Sequence, residues 1–540
     1  MFYTPGGFTS GDTYRSHDWF IAATHDAITR DTVLNHGQLP LRSHLVGGGY
    51  PIIGHPSDGS YSPFILTSLL LGERTGLKLN LVLCLFLGGL GVLLLSRDIL
   101  RVPGRGALVA ALAFVVAGWH PSRTLVGYYE ATFYLLFPLM LYLILMAGRA
   151  YRYLLLAVAL SCACLMQVLG GAAAFGLWAG THLLMGLRRP EHREPRRGRA
   201  MAMLTTVLGL AVLLGAVKFV PAMDLMGRGT MDRMPGKLLR ALPSGAVDQA
   251  LYKRSFNFYT TYRSPALTGH LDFFYSSPGA LLESLVTPVA LENHYELRQE
   301  GDLRVMQPEY PYINVGYLVL GLGLLGLLLR LPGTRSSVVA LLLFTLINFG
   351  WHAPVDLFRL LAYLPLVNEM ARPIQYFNFF IYVELVLLAG AGFAWLETRL
   401  RPGWRRTVLL LLCLAALAPS ALDNAARYRH AFRFPMPEVS AAAAFYQVKL
   451  DNRFLREQHA EGYGNTYLNV GRGVGSILWD SNIKMPENAV PARWVDDLGV
   501  SYPNPLYRGE AWFREPGNRV DEVSITPNRI RVKVRTATAG

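Results

Sequence analysis

Ten apolar stretches dominate this sequence of 540 residues and restrict its fold more than any other feature. A membrane helix needs about 20 mostly apolar residues, and a helix satisfies its own backbone hydrogen bonds where no water is present. We therefore predict an α-helical polytopic membrane protein with about ten spans. The stretches are 77–96, 106–119, 129–147, 153–169, 170–187, 203–221, 311–331, 337–350, 374–396 and 407–422.

The lengths of three apolar regions allow more than one assignment of membrane spans. The stretches 106–119 and 337–350 are short enough for buried or re-entrant helices, and we count them as spans because the charge pattern requires them. The run from 153 to 187 is too long for one crossing. Gly170–Gly171 is the predicted tip of a tight hairpin, so this run counts as two spans.

The arginines between the stretches predict the orientation of the chain. Five short loops hold a net charge of +13 out of the total of +14, and by the positive-inside rule these loops are cytoplasmic. The positive net charge therefore reflects the orientation of the chain in the membrane. It does not indicate a polyanionic partner, and we expect no nucleic-acid partner. The basic residues are Arg97, Arg101, Arg105, Arg149, Arg152, Arg188, Arg189, Arg193, Arg196, Arg197, Arg199, Arg330, Arg335, Arg399, Arg401, Arg405 and Arg406.

This topology divides the chain into three parts. Residues 1–76 form a first extracytoplasmic loop, and 77–422 form a transmembrane domain with a large external loop at 222–310 and a re-entrant segment at 351–373. Residues 423–540 form an extracytoplasmic β-containing domain, in which the alternation at Arg529–Arg535 predicts a strand. We expect one further helix upstream of Met1 and further strands beyond Gly540.

The first external loop contains three candidate acids. Asp12 is the best placed to act as a general base toward an acceptor hydroxyl at the membrane surface. A helix N-cap or a solvated loop acid explains Asp12 equally simply, and the same alternatives hold for Asp18 and Asp58.

Three ionisable residues lie at the predicted outer ends of spans. Arg123 precedes the span 129–147, Glu130 begins it, and Lys218 ends the span 203–221. Ionisable groups at membrane depth are functional candidates because burying them is costly. Their long side chains can instead reach the water at the interface, so Lys218 is either a phosphate contact or a snorkelling residue.

The segment 352–380 begins as an amphipathic helix that is too short and too charged to span the bilayer. Such a helix can lie in the interface and shape a groove for a lipid tail. Arg372 follows at the outer start of the next span, and its forked donors match a phosphate. The alternative is an arginine that anchors a helix end to lipid head groups.

Several motifs resemble those of bacterial YfhO-type membrane proteins. The likeness extends over nearly the whole chain, although each motif is loose. The motifs are GDTY with Asp12, GQLPL (37–41), GGGYP (47–51), the Tyr/Ser-Pro sequence at 61–63, QVLGG (167–171), LPLVNEMARPIQYFNFF (364–380), YRGEAW (507–512) and SITPNRIRVKV (524–534).

This resemblance implies a fold similar to the GT-C superfamily of integral-membrane glycosyltransferases. The family uses polyprenyl-phosphate-linked sugars and keeps an essential aspartate in the first external loop, a position that Asp12 matches. It implies a multi-pass protein of the bacterial cytoplasmic membrane, active on the extracytoplasmic side, with a lipid-phosphate-linked donor. The acceptor is an envelope polymer, a glycolipid or a protein.

The same resemblance assigns roles to the candidates. It implies that Asp12 is catalytic and that Arg372 contacts the phosphate of the substrate. From their positions in the sequence, we also expect Asp18, Arg123, Glu130 and Lys218 to contact the substrate. No second acidic pair for a divalent metal is evident, and no cysteine or histidine spacing indicates zinc. We therefore assign no metal, although some GT-C enzymes use a divalent ion.

Two other functions fit the same span count. A transporter or flippase for a lipid-linked glycan is one, although the unequal external loops show none of the internal symmetry that transporters often have. A non-catalytic assembly factor that binds through residues 423–540 is the other.

Overall fold

The computed structural model describes residues 17–227, 275–287, 312–361, 373–431 and 493–537, together with Tyr467 and Val470. Within these ranges, short segments are not described. They are residues 44, 47–49, 56–57, 126, 148–149, 168–170, 187–196, 276 and 330–332, and several positions between 496 and 516.

The chain forms two compact units. Unit 1 comprises Met1–Asn80, Ala216–Gly236 and Phe432–Gly540, and unit 2 comprises Leu81–Gly215 and Lys237–Ala431.

Helices are the main elements of both units. The first eleven are α1 (His17–Arg30), α2 (Ile65–Leu71), α3 (Glu73–Leu94), α4 (Gly104–Val116), α5 (Trp119–Leu125), α6 (Ala131–Tyr134), α7 (Phe137–Met146), α8 (Tyr151–Leu165), α9 (Gly171–Gly186), α10 (Arg197–Leu214) and α11 (Ala216–Gly227). The others described are α12 (Pro278–Val286), α13 (Gly316–Leu328), α14 (Arg335–Phe349), α15 (Leu357–Leu361), α16 (Pro373–Arg399) and α17 (Trp404–Ala431).

All ten predicted apolar stretches contain helix. In the described part of the chain, four helices are long and apolar enough to cross a membrane, or up to five if α10 and α11 make one bent span. The protein is therefore a membrane protein, while about ten spans remains a prediction. The four are Glu73–Ile99, Gly104–Leu125, Tyr376–Arg399 and Trp404–Arg429.

Two local predictions concern breaks in the helices. Helix α8 ends at Leu165 and α9 begins at Gly171, so the apolar run is interrupted next to the predicted hairpin tip. In the predicted re-entrant segment, a 3-10 turn at Gly350–His352 and the short α15 are formed, and residues 362–372 lie outside the described chain.

Glycine contacts set the helix crossings in unit 2. A Cβ atom on Gly392 of α16 would lie 2.1 Å from the carbonyl oxygen of Leu322 in α13. On Gly390 it would lie 2.7 Å from the carbonyl oxygen of Gly106 in α4. Small residues allow this close approach of backbones, which favours helix association in membranes.

Contacts at the two ends of unit 2 agree with the alternation of loops. At one end, Arg105 at the start of α4 pairs with Glu397 near the end of α16, with an N–O distance of 3.1 Å. At the other end, Trp119 Nε1 donates to Asn378 Oδ1 near the start of α16, at 2.8 Å. The two helices are therefore antiparallel. Arg105, at the start of α4, lies at the same end of unit 2 as the C-terminus of α16.

Unit 1 combines α1, α2, α11 and short strands. The strands form two antiparallel hairpins, β1 (Arg493–Val495) with β2 (Ser501–Pro503) and β3 (Arg519–Thr526) with β4 (Arg529–Arg535). The strand predicted at Arg529–Arg535 is thus formed. Gln38 Oε1 accepts a hydrogen bond from the backbone of Asn528 at 2.9 Å, which joins the GQLPL motif to the turn of the second hairpin.

Candidate functional site

A buried ion pair lies in unit 1. Lys218 on α11 is 1% exposed, and its Nζ donates to Asp58 Oδ2 at 3.1 Å and to the carbonyl oxygen of His55 at 2.5 Å. The sequence predicts Lys218 as a phosphate contact or a snorkelling residue. Its ammonium group is instead directed into the protein toward Asp58, and its role toward a substrate stays a prediction.

Asp58 is held in its charged form. Its side chain is fully buried, and Oδ1 accepts hydrogen bonds from the Ser60 hydroxyl and the Ser60 backbone N–H. Burial raises the pKa of Asp58, but Lys218, His25 and the Ser60 hydroxyl together outweigh burial and lower the pKa below its ordinary value. Asp58 therefore remains ionised at neutral pH beside the Lys218 ammonium group.

Asp26 on α1 is a second buried acid in the same unit. Its Oδ2 accepts a hydrogen bond from Ser68 Oγ at 2.5 Å. Burial raises its pKa to about 7; the Ser68 hydrogen bond opposes this, while the negative charges of Asp58 and Glu73 add to it. Asp26 can therefore gain or lose a proton near neutral pH.

Helix α1 and the following loop meet around these acids. The rings of His25 and His55 are 4.6 Å apart, and the hydroxyl groups of Thr29 and Ser60 are joined by a hydrogen bond. We call Asp26, His55, Asp58, Ser60 and Lys218 the Asp58–Lys218 cluster. It brings α1, the loop at 55–60 and α11 together.

Asp58 and Lys218 are separate candidates in the sequence, and Asp26 is not among the predicted residues. A signal was present, because Asp26 follows the buried Trp19 and Ala23 at helical spacing. An acid on the apolar face of an amphipathic helix is a candidate for a raised pKa. The pairing of Asp58 with Lys218 has no local signal, since the two residues are 160 positions apart.

A second polar network lies in unit 2. Arg123 is fully buried, its guanidinium carbon is 4.9 Å from the Trp119 ring centroid, and Nη2 donates to Asn378 Oδ1 at 3.1 Å. The His120 ring forms hydrogen bonds with the hydroxyl groups of Tyr428 (2.8 Å) and Thr132 (3.3 Å). These contacts tie α5 to the start of α16 and the end of α17.

The remaining predicted residues are placed as follows. Glu130 is half-buried directly before α6, and its Oε2 accepts from the Tyr128 hydroxyl at 3.4 Å. Asp18 lies in the first turn of α1, and its side chain is not described. Asp12 and Arg372 lie outside the described residues.

The described residues contain no group of three or more His, Cys, Asp or Glu side chains that could hold a metal ion. The pKa values of Asp58 and Asp26 are shifted in opposite directions although both acids lie in unit 1. Within the Asp58–Lys218 cluster, Asp26 offers proton exchange, and Asp58 and Lys218 form a buried charge pair.

No protein-family model matches the chain, and no curated protein matches it either. Among solved structures, the chain is similar to the apo form of the Archaeoglobus fulgidus oligosaccharyltransferase, with 13% sequence identity and a TM-score of 0.41. This match covers 83% of the present chain, which spans 56% of the archaeal chain.

Proposed function

We propose that this chain is a membrane glycosyltransferase that moves a sugar from a polyprenyl-phosphate-linked donor to an envelope acceptor outside the cytoplasm. The observation that carries the proposal is the Asp58–Lys218 cluster. It contains Asp26, whose pKa of about 7 suits proton exchange with a hydroxyl group at neutral pH. Its members other than Lys218 lie in residues 1–76, the segment that the family resemblance associates with catalysis.

The composition of unit 1 supports the same proposal. This unit gathers residues from the first loop, from the outer end of the span 203–221 and from the tail. The arginine pattern predicts all three on one side of the membrane. A donor with its phosphate at that surface would meet the acidic first loop, as the proposed reaction requires.

In the proposed reaction, the oxygen of the acceptor hydroxyl forms a bond to the anomeric carbon of the sugar. The bond between that carbon and the phosphate oxygen breaks, and the polyprenyl phosphate leaves with the electron pair. Asp12 takes the proton of the hydroxyl group. Arg372 offsets the charge on the leaving phosphate, and Asp18, Arg123, Glu130 and Lys218 contribute to substrate binding.

The test uses the full chain in lipid vesicles with labelled polyprenyl-phosphate sugars and a panel of lipid, polymer and peptide acceptors. We expect sugar transfer by the unaltered protein and a loss of at least a hundredfold for Asp12→Asn, as is typical of general-base removal. Asp31→Asn is the matched control, because Asp31 also lies in the first segment and contacts only its helical neighbours Asn35 and His36 in the described contacts.

Two outcomes would contradict the proposal. Full transfer by Asp12→Asn would remove the role of Asp12, and transport of the sugar lipid across the vesicle without bond formation would indicate a transporter. A third outcome would indicate an assembly factor. In that case cells still make the envelope product with Asp12→Asn or with Arg372→Gln, but not when residues 423–540 are removed.

A further inference from the structure

A cavity of about 480 Å³ lies at one end of unit 2, where α4 begins and a short loop connects α16 to α17. This is the end at which Arg105 meets Glu397, opposite the end where α5 contacts α16. The cavity is open to the surface on one side, and its size is ordinary for a ligand site. Among the residues that line it are Gly104, Arg105, Glu397 and Arg406.

The arginines in this lining come from different helices, and each guanidinium group is held by a contact of its own. Arg105 Nη1 donates to Glu397 Oε1 at 3.1 Å. Arg406 donates through Nε and Nη2 to the carbonyl oxygen of Leu400, both at 3.2 Å. A guanidinium group has more N–H donors than these contacts use. In the described part of the chain, Nη2 of Arg105 and Nη1 of Arg406 therefore have donors left for a ligand.

The formal charges of the lining favour an anion. Arg105 and Arg406 stand against the single acid Glu397, so the lining carries one net positive charge. Glu397 is 7% exposed and pairs with Arg105, whereas Arg406 has no acidic partner among the described residues. A ligand with one negative charge would neutralise the lining, and the forked donors of arginine match the oxygens of a phosphate group.

Tryptophan and arginine side chains around the cavity indicate the depth at which it lies. Trp404, the first residue of α17, is 70% exposed, and the Arg405 guanidinium carbon lies 5.9 Å from its ring centroid. The Arg399 guanidinium carbon lies 4.7 Å from the ring centroid of Trp395 on α16. Both helices are long and apolar enough to cross a membrane, and such side chains are typical of its interfaces. The phosphate that reaches this cavity most readily is therefore that of a membrane phospholipid.

We propose that this cavity binds the head group of an anionic membrane phospholipid, with its phosphate held by Arg105 and Arg406. Basic pockets between membrane helices bind head groups of this kind. The bound lipid would connect the start of α4 to the loop between α16 and α17. A free phosphate ion offers the same oxygens, so the test must separate the two sources. The proposal does not depend on sugar transfer.

The experiment uses the full chain in detergent micelles and measures bound phospholipid by native mass spectrometry as phosphatidylglycerol is added. Phosphatidylcholine, whose head group has no net charge, is the reference lipid. We expect the unaltered protein to bind phosphatidylglycerol more tightly than phosphatidylcholine. Arg406→Gln should weaken this binding by about tenfold, as expected for the loss of one charge-assisted hydrogen bond. Arg335→Gln is the matched control, because Arg335 is exposed on α14 and does not line the cavity, and it should leave the binding unchanged.

Gly104→Glu gives a second test that does not require Arg406→Gln to fold. A Cβ atom on Gly104 has nothing within 4 Å, and an acid in the first turn of a helix is favourable. The added carboxylate competes with the lipid phosphate for the two arginines. Phosphatidylglycerol should therefore bind more weakly to Gly104→Glu than to Gly104→Gln, which adds a side chain of the same size without the charge.

Three results would overturn the proposal. One is equal binding of the two lipids by the unaltered protein. Another is equal affinity for phosphatidylglycerol within either pair of variants, Arg406→Gln with Arg335→Gln or Gly104→Glu with Gly104→Gln. The last is displacement of phosphatidylglycerol by inorganic phosphate at the same concentration, which would indicate a site for a free anion.

Discussion

Lys218 and Asp58 are 160 residues apart in the sequence, yet Lys218 Nζ lies 3.1 Å from Asp58 Oδ2 in a fully buried contact. The pair connects α11 to the segment between α1 and α2. Because both partners are removed from water, each depends on the other for compensation of its charge.

Lys218→Met is therefore expected to lower the free energy of unfolding by about 3–5 kcal/mol, the range for breaking a buried ion pair. Chemical denaturation in detergent micelles measures this change. Arg30→Met is the control, because Arg30 is exposed at the end of α1, and it should change stability by less than about 0.5 kcal/mol. Adding Asp58→Asn should recover part of the loss; equal stability of Lys218→Met and the control would contradict the prediction.

Asp26 predicts a pH dependence of stability. Its pKa is raised from 3.8 to about 7 in the folded protein, so the folded state binds the proton more tightly than the unfolded state. The contribution of Asp26 is thus most favourable below its unfolded pKa and declines as the pH rises from about 4 to about 7.

Asp26→Asn keeps an acceptor for Ser68 and removes this titration. Relative to the unaltered protein, the variant should gain stability with rising pH up to neutrality, by a few kcal/mol at most, and the gain should level off above pH 7. Denaturation of both proteins across this pH range measures the difference. A difference that does not change with pH would contradict the raised pKa.

Gly392→Ala should destabilise unit 2, because the added methyl group meets the carbonyl oxygen of Leu322 at 2.1 Å. Overpacking of this kind costs about 1–3 kcal/mol. Gly321→Ala on α13 is the matched control, since a Cβ atom there has nothing within 4 Å. Thermal unfolding in lipid should show a lower midpoint for Gly392→Ala alone, and equal midpoints for the two variants would argue against the close crossing.

Asn378→Leu should weaken the network around Arg123. The substitution removes the oxygen that accepts from both Trp119 and Arg123, and each buried donor left without an acceptor costs about 1–3 kcal/mol. Asn35→Leu is a control at an exposed position, where Asn35 contacts Asp31. Chemical denaturation should show a lower free energy of unfolding for Asn378→Leu than for Asn35→Leu. Unchanged stability of Asn378→Leu would show that water or another group replaces the oxygen.

The helical fold was predictable because its signal is local. Apolar runs of sufficient length identify helices without knowledge of their neighbours, and the arginine pattern correctly places the start of α4 and the end of α16 at one end of unit 2, where Arg105 meets Glu397. The strand at Arg529–Arg535 followed from its alternation in the same way.

The polar sites were only partly predictable because they depend on contacts between distant segments. Glu384 is visible as an acid within the apolar stretch 374–396, but nothing in that stretch identifies His182 on α9 as its hydrogen-bond partner. In the same way, the sequence makes Lys218 a candidate phosphate contact, but nothing near it identifies Asp58 as the partner that it contacts in the fold. The raised pKa of Asp26 depends on its burial and on the charges of Asp58 and Glu73, which are distant in the sequence.

The crossings of α16 also limit which sequences can form this fold. At Gly390 and Gly392 the backbones of α4 and α13 occupy the space that any side chain would need. Homologous chains that preserve both crossings must therefore keep glycine at these two positions, whereas Gly321 on α13 is free to change. The substitutions found along α16 in related sequences therefore test whether α4 and α13 cross it as closely as they do here. This test can be applied to any related sequence without a structure.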